Sequence, residues 1–390
     1  MNASLPTGAA DTHGLSLDDK YTRTQGRIYL SGTQALVRLP LMQKQRDREA
    51  GLNTGGYVSG YRGSPLGGLD QALWKAKRHL QSHDVVFQPG VNEDLAATAV
   101  WGSQQLNLFP GATRDGVFGM WYGKGPGVDR SVDVLKHANS AGTSARGGVL
   151  MLAGDDHAAK SSSVAHQSEH VLIASGIPVL YPSNVQEYLD YGLHGWAMSR
   201  YTGLWVAMKC VTDVVESSAS VDVDPGRVRI VLPPDALPEG GLNIAGRIRR
   251  WPRRRGCWTT SVCGAGYVRA NKLNRIVLDS PRAHFGIMTA GKAYLDVRQA
   301  LNDLGLDEAA CREAGIRVLK VGCIWPLDAQ GAREFATGLK EILVVEEKRQ
   351  ILEYALKEEL YNWRDDVRPR VYGKFDEREH GGGEWSTPRG

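Results

Sequence analysis

The stretch that decides the fold is Gly56-Tyr57-Val58-Ser59-Gly60-Tyr61-Arg62-Gly63-Ser64-Pro65-Leu66-Gly67-Gly68. An apolar-leaning strand enters a turn bounded by glycine and proline, and a helix is predicted to begin near Leu69. Backbone N–H groups at such a strand-to-helix turn point outward and suit an anionic group such as a carboxylate. An ordinary strand-to-helix turn uses the same residue types, so the motif taken alone predicts no more than a βα unit.

A second strand-to-turn stretch follows about thirty residues later, at Val85-Val86-Phe87-Gln88-Pro89-Gly90-Val91-Asn92-Glu93-Asp94. Asn92 is a residue type that caps helices, because its side-chain oxygen can accept a backbone N–H of the first turn. Glu93 then falls at the start of the helix. Taken alone, it is a solvated glutamate stabilised by the helix dipole.

Short apolar runs alternate with amphipathic or glycine-rich segments from Tyr21 to about residue 234. This alternation predicts a parallel β-sheet covered by helices, that is, an α/β fold. The predicted strands include 149–153, 178–181 and 204–209, and the predicted helices include 94–106 and 185–199.

A second, smaller α/β unit of about one hundred residues, an ordinary domain size, is predicted further along. Its strands are expected at 274–278, 285–289, 316–321 and 341–347, with a helix at 293–304. The predicted division of the chain is a disordered leader at 1–20, a first domain at 21–240, an irregular linker at 241–272, a second domain at 273–376 and a tail at 377–390.

The composition is that of an ordinary soluble globular protein, and we expect a cytoplasmic location. Hydrophobic residues make up 42% and charged residues 23% of the 390 residues, and no apolar run approaches the roughly 20 residues that span a bilayer. The five cysteines contain no C-x-x-C pair, which argues against a disulfide framework and against a zinc or iron–sulfur site within this chain. We therefore expect no membrane partner and no metal site.

The formal net charge of +4 is a local feature, because six arginines lie between residues 247 and 255. They share the segment 245–264 with Trp251, Trp258, Cys257 and Cys263, and this segment has neither helical nor strand periodicity. Three interpretations stay open: a nucleic-acid-binding patch, a solvated charge run, and a local frameshift in a GC-rich gene. The frameshift explains the composition best, and we expect no nucleic-acid binding.

Two further motifs are weak. His166, Glu169 and His170 match H-x-x-E-H, in which two histidines can bind zinc, but no third ligand is evident. Gly154-Asp155-Asp156 with a later Asn184 superficially resembles the magnesium motif G-D-G…N of thiamine enzymes, yet the second glycine is missing. Neither motif predicts a site.

Taken together, long strings in the correct order resemble the 2-oxoacid:ferredoxin oxidoreductase family, most closely its large fused bacterial indolepyruvate type. The resemblance covers Tyr21 to Pro234 almost continuously and returns from Arg269 to Arg349. The strings that carry it are 60–68 (GYRGSPLGG), 90–99 (GVNEDLAATA), 121–131 (WYGKGPGVDRS), 154–163 (GDDHAAKSSS), 181–184 (YPSN), 269–277 (RANKLNRIV) and 344–349 (VVEEKR).

The resemblance implies a pyrimidine-binding domain for thiamine diphosphate, followed by a domain similar to the transketolase C-terminal domain. It implies oxidative decarboxylation of indolepyruvate or another aryl 2-oxoacid to the acyl-CoA, with coenzyme A and ferredoxin as partners. Glu93 takes the place of the glutamate that activates the cofactor by holding N1′ of the aminopyrimidine.

The resemblance also implies a substrate site. Ser64 takes the place of a threonine hydroxyl that contacts the substrate carboxylate, with Tyr61 and Arg62 in the same turn. Arg62 and Gly63 depart from the pyruvate-type pattern, which weakly favours a larger substrate. Lys124 and Asp129 are expected near the same pocket or in a solvated loop. Asp155, Asp156 and His157 are expected where a strand ends at the cofactor site.

Two parts of the family pattern are missing from this sequence, namely the domain that binds the diphosphate through Mg²⁺ and the iron–sulfur cysteines. We therefore expect the chain to be an N-terminal portion that cannot complete the reaction alone and that acts as a homodimer or with a partner chain. The alternatives are an inactive truncated fragment and, least favoured, an arginine-rich nucleic-acid-binding protein.

Overall fold

The computed structural model describes residues 16–157, 165–233, 241–244 and 256–374. It contains these strands: β1 (Arg27–Ser31), β2 (Gly55–Gly60), β3 (Val85–Phe87), β4 (Val117–Lys124), β5 (Val149–Asp155), β6 (Val179–Leu180), β7 (Trp205–Val211), β8 (Ser218–Asp222), β9 (Arg275–Leu278), β10 (Phe285–Ala290), β11 (Ile316–Val321), β12 (Cys323–Trp325), β13 (Glu341–Val345) and β14 (Arg370–Tyr372).

Helices fill most of the connections. They are α1 (Asp19–Thr22), α2 (Gly32–Glu49), α3 (Leu69–Lys75), α4 (Lys77–Ser82), α5 (Glu93–Ser103), α6 (Gly125–Arg130), α7 (Val132–Ala141), α8 (Glu169–Ala174), α9 (Val185–Thr202), α10 (Thr212–Val215), α11 (Gly256–Ala270), α12 (Gly291–Asp303), α13 (Glu308–Glu313), α14 (Ala329–Ala336) and α15 (Leu352–Leu360). No helix in the described ranges is both long enough and apolar enough to span a membrane.

The larger sheet has seven strands in the order β12-β6-β7-β5-β4-β2-β3. Six of them run parallel, and β12 pairs antiparallel with β6. All residues of β5 and β7 are buried, as expected for central parallel strands that helices cover on both faces. Helix α9 packs on β5 and β7, and α5 packs on β2 and β4.

The smaller sheet has five strands in the order β14-β13-β10-β11-β9, parallel except for β9. The chain leaves this sheet through β12, which joins the edge of the larger sheet two residues after β11 ends. The buried lysine Lys320 of β11 contacts Glu187 of α9 and donates to the Ser183 hydroxyl at 2.8 Å. One hydrophobic cluster includes residues of both sheets, and a second, smaller cluster belongs to the smaller unit alone.

The predicted elements are confirmed where they were named, with ends that differ by a few residues. The helix predicted at 185–199 is α9, and the strands predicted at 149–153 and 316–321 are β5 and β11. The antiparallel strand β12 was not predicted, because its three residues are too short a run to show a period of two.

Two predicted irregular segments are partly regular. The leader prediction is wrong for Asp19 and Lys20, which lie in α1, where the buried Arg38 guanidinium binds the carbonyl oxygens of the turn. The linker prediction is wrong for 256–270, which form α11. Packing holds this helix despite its weak pattern, since Tyr267 is fully buried against His194. Residues 1–15, the arginines at 247–255 and the predicted tail lie outside the described residues.

Candidate active site

The candidate site lies at the carboxyl edge of the seven-stranded sheet. Strands β2, β3, β4 and β5 run parallel, so the segments that follow them meet at this edge. In open α/β sheets this edge is where ligands bind, because strand ends and helix N-termini present polar groups there. The segments bring in the predicted residues Tyr61 to Ser64, Glu93, Lys124, and Asp155 to His157.

Glu93 is the first residue of α5 and is buried, with 7% of its surface exposed. Asn92 caps the helix as predicted, accepting the Leu95 N–H at 2.9 Å. Trp121 Nε1 donates to the Glu93 carbonyl at 3.2 Å, which fixes the backbone from β4. The Glu93 carboxylate accepts no hydrogen bond from any residue that the structure describes.

A glycine makes room for the Glu93 side chain. A Cβ added to Gly127, in the first turn of α6, would lie 2.6 Å from Glu93 Cγ and 2.7 Å from Oε1. Both distances are far below van der Waals contact, so only glycine allows this approach. The stretch 125–127 (Gly-Pro-Gly) therefore forms one wall of the site at Glu93.

The turn after β2, which holds Ser64 and was predicted to contact the substrate, is bound to the end of β5. Ser64 Oγ donates to Asp156 Oδ2 at 2.9 Å. A Cβ at Gly154 would contact Pro65 and Leu66 at 3.1 Å, so the turn also packs on the strand end. Lys124 lies over Gly63, where a Cβ would come within 2.6 Å of Lys124 Cδ.

Asp155 is fully buried, and its carboxylate has several hydrogen-bond and ion-pair partners. Its carboxylate accepts the Ser168 N–H at 2.9 Å and the Ser168 hydroxyl at 2.7 Å, and it lies 3.2 Å from Lys209 Nζ. Burial opposes its charge, but the Lys209 cation and the Ser168 hydrogen bonds hold the pKa of Asp155 well below its usual value. Lys209 also pairs with the buried Glu169, whose pKa burial raises.

His157 lies at the boundary with the smaller sheet, where it contacts Glu347 from the turn after β13. Burial, reinforced by the Lys209 cation, lowers the pKa of His157 to about 3. Its imidazole is therefore neutral at physiological pH. His157, Glu169, Lys209, Glu346 and Tyr181 line a small pocket between the two sheets.

The structure joins some predicted residues and separates others. Ser64 and Asp156 form one pair, and Lys124 lies beside the same turn. Tyr61 and Arg62 are exposed.

The H-x-x-E-H motif does not converge on a metal. Glu169 contacts Lys209, whereas His166 Nε2 lies 2.9 Å from Asp129 Oδ2. In the described part of the chain no group of three or more histidine, cysteine or carboxylate side chains has metal-binding geometry.

Comparisons with known proteins find similarity to indolepyruvate oxidoreductases. A family model described as the indolepyruvate ferredoxin oxidoreductase middle domain matches residues 274–390. The chain is 27% identical over 377 residues to the indolepyruvate oxidoreductase subunit IorA of Methanothermobacter marburgensis, covering 93% of this chain and 53% of that protein. It is 24% identical to the IorA subunit of Archaeoglobus fulgidus, covering 91% and 53%.

The resemblance to the indolepyruvate:ferredoxin oxidoreductases is confirmed. The chain spans about half the length of the curated relatives it matches.

Solved structures give the same fold. A 2-oxoglutarate:ferredoxin oxidoreductase from Magnetococcus marinus, with 2-oxoglutarate, coenzyme A and succinyl-CoA bound, superposes with a TM-score of 0.63 at 15% identity, covering 89% of this chain and 62% of that one. A split-gene transketolase in an inactive β4 tetramer has a TM-score of 0.52 at 11% identity, covering 89% and 90%. The predicted α/β fold class is confirmed.

Sequence reasoning missed the residues that support the site. Gly127 makes room for Glu93, and Lys209 neutralises Asp155. Asp129, which was expected near the pocket, pairs with His166, and this pairing was also missed. A lysine within an otherwise apolar strand was an available signal for Lys209, because buried cations need partners. The other contacts join segments that lie 34 to 37 residues apart, and no local pattern shows them.

Proposed function

We propose that this chain forms the pyrimidine-binding part of a thiamine-diphosphate-dependent 2-oxoacid:ferredoxin oxidoreductase of the indolepyruvate type. The observation that carries the proposal is Glu93, a buried carboxylate at the carboxyl edge of a parallel sheet, resting on a glycine and without a hydrogen bond from the described protein. The Glu93 oxygens are not among the fully buried unpaired atoms of the described residues, and a carboxylate placed at this edge can accept a hydrogen bond from a ligand.

The residues present fit the pyrimidine end of thiamine diphosphate. The cofactor supplies the carbanion chemistry of 2-oxoacid decarboxylation when it is bound. Glu93 would accept a hydrogen bond from the protonated N1′ of its pyrimidine ring. Gly127 leaves room for the Glu93 side chain, and the Trp121 indole fixes the backbone from which it projects.

The turn after β2 would hold the substrate. Lys124 and Arg62 provide positive charge for a 2-oxoacid carboxylate, and the exposed ring of Tyr61 provides an apolar surface for an aryl group. The Ser64 hydroxyl proton is directed at Asp156, so contact with a substrate carboxylate requires that hydroxyl to rotate. Asp155, Asp156 and His157 would shape the base of the site.

The remaining components would come from outside the described residues. The chain covers about half of its IorA relatives, so we propose that Mg²⁺, the diphosphate site and the iron–sulfur cluster are held by a further segment or a partner chain. Coenzyme A and ferredoxin would be the other substrates. We also propose a dimer, in which cofactor ends are held by domains from opposite sides.

Isothermal titration calorimetry with thiamine diphosphate and Mg²⁺ tests the proposal. We expect binding by the wild-type chain, weak without the diphosphate site, and a further loss of about 10-fold or more in the variant Glu93→Gln, because one hydrogen bond to a charged group contributes about 1.5–3 kcal/mol. Glu49→Gln is a matched surface control at the end of α2 and should bind like the wild type. Equal affinities for Glu93→Gln and the wild type would contradict the assignment.

A further inference from the structure

His166 lies between two carboxylates at the candidate site. Its Nε2 is 2.9 Å from Asp129 Oδ2, and its Nδ1 is 3.7 Å from Asp155 Oδ1, within ion-pair distance. An imidazole carries an N–H on both ring nitrogens only when it is protonated. The arrangement therefore suits the imidazolium form, with one hydrogen bond and one ion pair.

The same side chain packs on the glycine turn that makes room for Glu93. A Cβ at Gly125 would lie 2.0 Å from His166 Nδ1, so the ring rests directly on that backbone. Two residues later, Gly127 touches the Glu93 side chain. One short turn thus contacts both His166 and the proposed cofactor-binding carboxylate.

The smaller unit fixes the backbone at His166. Lys348 Nζ donates to the His166 carbonyl at 3.3 Å. The next residues pair reciprocally, since the Arg349 N–H donates to Gln167 Oε1 at 3.0 Å and Gln167 Nε2 donates to the Arg349 carbonyl at 2.9 Å. These three contacts, made by the turn after β13, hold the backbone that carries the imidazole next to α6.

Two carboxylates face the His166 ring among the described residues, and further charged groups lie next to them. The Asp155 carboxylate raises the pKa of His166 above 6.5, burial opposes this, and Asp129 raises it further. Asp129 of α6 and Asp155 of β5 face the ring, and Lys348 of the turn after β13 donates to the His166 carbonyl. Behind them, Lys209 of β7 pairs with Asp155 and with Glu169 of α8. The two carboxylates therefore favour the cation, which is lost as the pH rises through the folded-state pKa.

We propose that His166, as an imidazolium, is a positioning residue that fixes the Gly125–Gly127 turn and, through it, the Glu93 carboxylate, so that its deprotonation weakens cofactor binding. The proposal rests on the proposed function and adds a pH-dependent element to its site. His166 acts through the turn and needs no contact with substrate or cofactor.

The test is the pH dependence of thiamine diphosphate binding, measured by calorimetry with Mg²⁺ between about pH 6 and pH 9. We expect wild-type affinity to fall about 5- to 10-fold across this range, the lower end of ordinary coupling between two sites. His166→Gln keeps a hydrogen-bond donor toward Asp129 but no charge, and its affinity should be low and without this alkaline fall. His137→Gln, on the exposed face of α7, is the matched control and should follow the wild type. A flat wild-type profile, or an alkaline fall that persists in His166→Gln, would overturn the inference.

A second readout separates this inference from the proposed function. Histidine NMR titration needs no ligand: the resonance missing from His166→Gln should titrate above pH 6.5 and shift to lower pH in Asp129→Asn. Amide hydrogen exchange of α6 should be faster in His166→Gln than in His137→Gln. If the wild type binds no thiamine diphosphate, the proposed function fails and these two measurements decide the positioning role. A resonance at or below pH 6.5, or unchanged exchange, would overturn it.

Discussion

Replacing Gly127 with alanine tests the contact on which the proposed site depends. The new Cβ would lie 2.6 Å from Glu93 Cγ, 2.7 Å from Oε1 and 2.9 Å from Cδ. Ordinary contact begins near 3.4 Å, so the carboxylate or α6 must move by about half an ångström or more. Overpacking of this kind costs about 1–3 kcal/mol, whereas glycine to alanine in a helix gains up to about 1 kcal/mol.

Gly102→Ala is the matched control, because Gly102 lies in α5 and a Cβ there would meet no atom within 4 Å. This variant should raise the urea midpoint and increase the free energy of unfolding by about 0.5–1 kcal/mol. The free energy of unfolding of Gly127→Ala should be about 1–3 kcal/mol lower than that of this control. Alternatively, Gly127→Ala should keep its stability and lose thiamine diphosphate affinity, because Glu93 has moved aside. If Gly127→Ala matched Gly102→Ala in both stability and affinity, the Glu93–Gly127 packing would be refuted.

Two further substitutions probe the rest of the site. Ser64→Ala removes the hydrogen bond to Asp156 and should lower the free energy of unfolding by about 1 kcal/mol in urea titrations; no change would show that the pair contributes nothing to stability. Lys209→Met leaves two buried carboxylates without their cation and should cost about 3–5 kcal/mol, whereas the exposed Lys136→Met should be near neutral. Burial holds the pKa of Glu169 above its usual 4.5. The loss in free energy of unfolding caused by Lys209→Met should therefore grow as the pH rises through that raised pKa and shrink toward pH 4.5. A loss independent of pH would contradict this electrostatic account.

The sequence predicted the fold well because its strands are long apolar runs. All seven residues of β5 are buried, and such a run is visible without any tertiary information. The Asn92 cap and the start of α5 were equally accessible, since capping is a local contact. Helix α11 was missed because long-range packing, as at Tyr267, stabilises it rather than a polar and apolar period.

The site was only partly accessible for a similar reason. The residues after the parallel strands could be named, because topology brings strand ends to one edge. Their pairings could not, since Ser64 and Asp156 are 92 residues apart and Lys209 is 40 residues from Glu169. The exchange of hydrogen bonds between Gln167 and Arg349 spans 182 residues and joins two units that were predicted to be separate domains.

The three buried carboxylates at this edge differ in what the protein provides for them. Asp155 has the Lys209 cation and two hydrogen bonds from Ser168, and Asp156 accepts the Ser64 hydroxyl. Glu93 has a glycine against its side chain and a helix N-terminus beneath it, but no donor among the described residues. The Glu93 oxygens are not among the fully buried unpaired atoms of the described residues, so the carboxylate is free to accept a hydrogen bond from the ligand that we propose. This difference among the three, rather than the presence of acidic residues at a strand edge, is the physical argument for Glu93 as the cofactor-binding group.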